Sequence, residues 1–178
     1  MPTLQSNRAS RAIGAMFFSC FGGAWLILGI VRSSHHNPAL IVLAVLCSLT
    51  ILILAYRKYT QNRAALAAEA SSPASKRRSR WFNIINAGQW ILLILIGNIL
   101  VNIGLSAWVI PAAILIVGLH FLPLAGLFSY PAHYITGAAL ILIAATYPFL
   151  TAQGPLSPVG CYGAGLVLWL SALYGLTA

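Results

Sequence analysis

Ile91-Leu-Leu-Ile-Leu-Ile96 and Ala112-Ala-Ile-Leu-Ile-Val117 show no alternation of apolar and polar residues. They lie in a stretch, Trp81 to Ala178, without a single Asp, Glu, Lys or Arg. A strand of a membrane β-barrel would show about ten residues of strict alternation. A helix crossing a hydrocarbon core about 30 Å thick needs instead about 20 consecutive apolar residues. The stretch therefore predicts membrane helices. Working outward, 60% of the 178 residues are hydrophobic and 6% charged, where a soluble domain carries roughly 25% charged residues. Mean hydropathy is +0.90. The fold class read from this is all-α integral membrane: a six-transmembrane-helix bundle, with three helical hairpins as one arrangement.

Spans are expected at 12–31, 38–56, 81–101, 106–128, 133–150 and 158–176, in a single transmembrane domain covering 1–178. Asn37 before Pro38, and Ser157 before Pro158, read as helix caps with proline at the first helical position. The first apolar run is too long for the core of a signal peptide, and no A-x-A site follows it, so it reads as a retained span. The polar segment 57–80 is expected to be a cytoplasmic basic loop. Within it, Arg63-Ala-Ala-Leu-Ala-Ala-Glu-Ala70 favours helix, and Ser71-Ser-Pro-Ala-Ser75 reads as a linker. Cys20, Cys47 and Cys161 sit in apolar runs without paired spacing, which points to neither disulfide nor metal.

Ten Lys and Arg face one carboxylate, Glu69, for a net charge of +9. In a soluble protein that excess would raise nucleic-acid binding. Beside membrane spans it reads as orientation and anionic-lipid attraction, so no nucleic-acid partner is expected. Arg8 and Arg11 with the seven basic residues of 57–80 fall on one side, and Arg32 alone on the other. The positive-inside rule then makes the N-terminus, the basic segment and the C-terminus cytoplasmic. Lys76, Arg77, Arg78 and Arg80, directly before Trp81, are the candidate headgroup contacts. Gly22-Gly-Ala-Trp-Leu-Ile-Leu28 and Ala87-Gly-Gln-Trp-Ile-Leu-Leu93 form a weak internal echo.

Gly118-Leu-His-Phe-Leu-Pro-Leu-Ala125, with the Phe17–Leu28 stretch and His133-Tyr-Ile-Thr-Gly137, resembles a group of uncharacterised six-helix bacterial inner-membrane proteins. The resemblance covers about half the chain and implies a bacterial inner membrane and no known activity. In size and span number the chain is also similar to bacterial acid-resistance membrane proteins, with no motif in common.

Absences narrow the chemistry. No carboxylate lies in any span, which removes the usual carboxylate-coupled transport, carboxylate-bound metals and Ser-His-Asp catalysis. Gly104-Leu-Ser-Ala107 resembles the serine motif of rhomboid proteases, but His120 lies about 21 Å away along the same helix at 1.5 Å per residue. No enzyme activity, metal or cofactor is expected. His35 and His36 read as surface residues of a turn.

His120 remains, roughly 12 Å into the core from the cytoplasmic end of span four. An ionisable residue at that depth is a site candidate that needs a partner. Gln89 lies at the same depth on the antiparallel span three, and Asn86 one turn away. Ser19, Cys20, Cys47, Ser48 and Ser171 reach a similar level. Pro123 frees the Leu119 carbonyl and should kink span four. Asn83, Asn86 and Asn98 share one face of span three with Trp90 and Gly97. That face is expected to turn into the bundle or an oligomer contact. On span six, Gly160, Ala164, Ser171 and Gly175 form a small-residue face suited to helix packing or to a homo-oligomer. Two functions stay open. One is a channel or transporter for a small neutral or anionic solute, gated near His120. The other is a non-transporting accessory, stress or scaffold protein holding anionic lipid, with His120 as interhelical glue.

Overall fold

Six helices of this protein are long and apolar enough to cross a membrane, and no strand occurs among the described residues. The computed structural model describes residues 3–34 and 37–177. The helices are α1 (Leu4–Arg32), α2 (Pro38–Ala70), α3 (Pro73–Asn102), α4 (Val109–Phe128), α5 (Ala132–Leu150) and α6 (Val159–Thr177). Short 3-10 turns at Ser106–Trp108 and Gly154–Leu156 precede α4 and α6. The all-α, polytopic membrane class is thereby established.

The cap-then-proline starts form as their residues dictate. The Asn37 side chain accepts from the Ala39 N–H at 2.9 Å, and the Ser157 hydroxyl accepts from the Val159 N–H at 3.3 Å. The basic loop expected over 57–80 is instead almost wholly helical. Arg57 to Ala70 continues α2, only Ser71 and Ser72 break the chain, and Pro73 opens α3. Alanine, leucine, arginine, glutamine and glutamate are strong helix formers, so the apolar span carries its helix on into the aqueous zone. The expected five-residue linker shrinks because the Ser72 hydroxyl accepts from the Ser75 N–H at 3.2 Å, and proline suits a first helical position. Helix α1 likewise starts at Leu4, well before Ala12.

The chain groups into two compact units, and the division falls within α3 and α6. The first holds Met1–Arg77 with Gly165–Ala178. Its packing rests on a run of small residues along α1, in which Ser6, Ala9, Ala12, Ala15, Ser19, Gly22 and Gly23 are all buried. Their spacing of three to four residues puts them on one face. Gly22 meets Gly165 of α6: a Cβ on Gly22 would stand 3.0 Å from the Gly165 carbonyl oxygen, and one on Gly165 2.8 Å from that of Gly22. Only glycine permits such an approach, which is how membrane helices gain dispersion contacts where water supplies no driving force. Trp169 covers Gly22, and its indole N–H donates to the Ser19 carbonyl at 3.2 Å. Ala15, Ile51, Ala55 and Ala172 form the core beneath.

The second unit, Arg78–Ala164, repeats the device between α4 and α5. A Cβ on Gly118 would lie 3.0 Å from the Gly137 carbonyl oxygen, and one on Gly137 2.7 Å from that of Gly118. Helix α4 runs unbroken through Pro123 and ends at Ser129, whose φ of 50° is left-handed. Gly160 and Ala164 of α6 are buried, Gly160 beneath the Tyr147 ring. The two halves of the sequence echo differ in surroundings: Gly23 is closed over by Ser48, whereas a Cβ on Gly88 would meet nothing within 4 Å.

Candidate functional site

His120 is half-buried on α4, and its Nδ1 is buried with no hydrogen-bond partner among the described residues. Its interaction with α3 is through the backbone of Ile85. No hydrogen bond among the described residues joins it to Gln89 or Asn86, which the sequence offered as partners.

Around His120 the α4–α5 corner assembles an aromatic array that the sequence did not announce. The Phe121 ring centroid lies 5.7 Å from that of His120 and 5.7 Å from that of His133. The Tyr130 ring meets His133 edge-on at 4.9 Å, and Phe128 lies 6.5 Å from it. Phe82 of α3 closes the array against Phe128 at 5.9 Å. Such edge-to-face rings are a favoured aromatic geometry and hold one another in place. His133, in the first turn of α5, is half-buried and shares the Phe121 ring with His120. The available signal was the seven-residue spacing of Phe121 and Phe128, which puts both rings on one face of α4.

The remaining candidates separate. On α3, Gln89 and Asn86 are half-buried, while Asn83, Trp90 and Asn98 are exposed. The Asn98 amide donates to the Ile94 carbonyl of its own helix at 2.8 Å. The asparagine face is therefore not turned into the packed side of the single chain, as one sequence expectation had it. Helix α3 has no buried residue at all. Its apolar side chains, Ile84, Ile91, Leu92, Ile94, Leu95 and Ile99 among them, run round most of the helix, so hydrophobicity selects no face.

In the first unit, Ser19 is fully buried and Ser48 half-buried, and neither Oγ has a hydrogen-bond partner among the described residues. Ser171 donates to the Val167 carbonyl at 2.8 Å. Cys20 is exposed, Cys47 half-buried and Cys161 buried, none in a disulfide. Among the described residues no three His, Cys, Asp or Glu side chains gather as metal ligands. His35 and His36 lie outside the described residues.

The basic candidates sit on the first turns of α3. Lys76, Arg77 and Arg80 are exposed and Arg78 is half-buried. On the α2 extension, Arg57 and Arg63 are exposed too. Lys58 differs: its ammonium donates to the Leu176 carbonyl at the end of α6. A cation there meets the negative end of that helix. Three comparisons, with protein-family models, curated proteins and solved structures, each find no match to the chain.

Proposed function

We propose that this polytopic membrane protein is a non-catalytic, non-transporting scaffold that holds anionic lipid headgroups on the basic helical segment of residues 57–80. The supporting observation is that the basic residues of this segment sit on helix on either side of the break at Ser71 and Ser72, with Lys76, Arg77 and Arg80 exposed shortly before Trp81. A rigid helix sets charges at a constant height over the membrane surface, where each contributes about 1 kcal/mol against an anionic leaflet. A bacterial inner membrane with both chain ends on the cytoplasmic face suits the nine-to-one division of Lys and Arg. The exposed asparagine face of α3 leaves room for a homo-oligomer contact.

Native mass spectrometry from mixed phosphatidylglycerol and phosphatidylcholine nanodiscs tests the reading. Wild-type protein should retain phosphatidylglycerol. Changing Lys76, Arg77, Arg78 and Arg80 together to Gln should reduce that retention at least about tenfold. Equal retention by both proteins would overturn it.

A second reading, a pathway for a small neutral or anionic solute, draws on the buried Nδ1 of His120, a polar atom with spare capacity. The absence of acidic side chains from the spans disfavours cations. In proteoliposomes, a pH-dependent flux abolished by His120→Gln would establish this reading, and no flux above empty liposomes would remove it.

A further inference from the structure

An apolar groove of about 460 Å3 opens in the second unit, where the end of α3 faces the start of α4 and the last turns of α5. Its walls include Ile96, Leu100, Trp108, Ala112, Ala144 and Phe149, and every lining side chain is aliphatic or aromatic. The hollow exists because alanines stand at 112, 144 and 145, where larger residues would fill it. Trp108 and Phe149, with ring centroids 5.9 Å apart and planes tilted at 53°, meet in one of its walls.

We propose that this groove binds one acyl chain of a lipid whose headgroup carries no net charge. Three observations support that occupant. An apolar hollow does not hold water, and this one falls within the range of ligand sites, about 300–1,000 Å3. It also lies between helices apolar enough to span a membrane, where acyl chains are the abundant apolar ligand. Finally, the chain carries no charged side chain from Trp81 onward. Within its own unit the only charged side chains, Arg78 and Arg80, stand near the start of α3, at the opposite end of that helix from Ile96 and Leu100, so the unit offers nothing at the groove to pair a headgroup's net charge. The site does not depend on the basic segment 57–80.

The test uses the full chain in dodecyl maltoside with a trace of phosphatidylcholine bearing a diazirine near the end of one acyl chain. After illumination, labelled residues are mapped by peptide mass spectrometry. Labelling should concentrate on 96–115 and 144–149, saturate, and be displaced by unlabelled phosphatidylcholine at lower concentration than by phosphatidylglycerol with the same chains. Ala112→Phe and Ala145→Phe fill the groove and should each lower this labelling about tenfold. Leu170→Phe, on an exposed face of α6, should not. Wild-type labelling spread over exposed positions such as Ile91, Leu142 and Leu170 without saturation would overturn the site. Equal displacement by the two phospholipids would overturn its preference for a net-neutral headgroup. The wild-type map stands as a test even where a filled variant fails to fold.

Discussion

The backbone N–H of Thr3 donates to Oε1 of Glu69 at 2.7 Å, so the sole side-chain carboxylate of the chain caps a helix whose N-cap residue lies 66 positions earlier. Its other oxygen, Oε2, accepts from the Ser6 hydroxyl at 2.9 Å. The Thr3 hydroxyl meanwhile accepts from the Ser6 N–H at 3.1 Å. Two orphan donors at the start of α1 are thus satisfied, and a negative charge stands at the positive end of the helix. The α2 extension supplies it, while Lys58 of the same extension serves the C-terminal carbonyls of α6. One helical arm secures two helix ends.

Glu69→Ala should destabilise the α1–α2 hairpin by about 1–2 kcal/mol, since it removes a cap and a favourable charge–dipole interaction. Hydrogen–deuterium exchange in detergent reads this locally. Protection over residues 4–11 should fall, while the second unit exchanges as before. Unchanged protection at 4–11 would show that the carboxylate contributes nothing there.

The glycines divide into two classes with opposite signs. Gly118→Ala and Gly165→Ala would place a Cβ against backbone carbonyls at 3.0 and 2.8 Å, and overpacking of that kind costs about 1–3 kcal/mol. At Gly14 and Gly88 a Cβ meets nothing within 4 Å, so Gly→Ala should stabilise by about 0.5–1 kcal/mol through helix propensity alone. Thermal unfolding of the four variants in one detergent compares them. A shift of the same sign in all four would contradict the assigned contacts.

Ser19 offers a test of a buried hydroxyl. Its Oγ is fully buried without a partner among the described residues, and removing such a group from an apolar site spares a desolvation penalty of about 1–3 kcal/mol. Ser19→Ala should therefore leave the protein as stable or raise its unfolding temperature, while the indole bond from Trp169, made to the Ser19 carbonyl, persists. A marked loss of stability would mean the hydroxyl has a partner such as an ordered water.

Topology is open to chemical labelling. Ser71 is exposed in the two-residue break between α2 and α3. In intact cells Ser71→Cys should resist an impermeant maleimide and react only after permeabilisation. Reaction from outside would invert the orientation that the basic residues imply.

By itself the sequence determined the class, the number of helices and most of their approximate positions, because these are local matters. A backbone in hydrocarbon must satisfy its own hydrogen bonds, so an apolar run of sufficient length is a helix whatever surrounds it. The caps at Asn37 and Ser157 are equally local, set by residues one or two positions apart. The choice of His120, a polar residue inside an apolar run, was also local. Its neighbours were not local. That the Ile85 backbone, not Gln89, reaches His120, and that His133 joins it around Phe121, depends on how α3, α4 and α5 rotate and pack. So do the pairing of Gly22 with Gly165, of Gly118 with Gly137, and of Glu69 with Thr3. In a chain apolar round most faces of its helices, hydrophobicity no longer marks the buried side. Close backbone approach and scarce polar contacts decide it instead, and those exist only once the helices are packed.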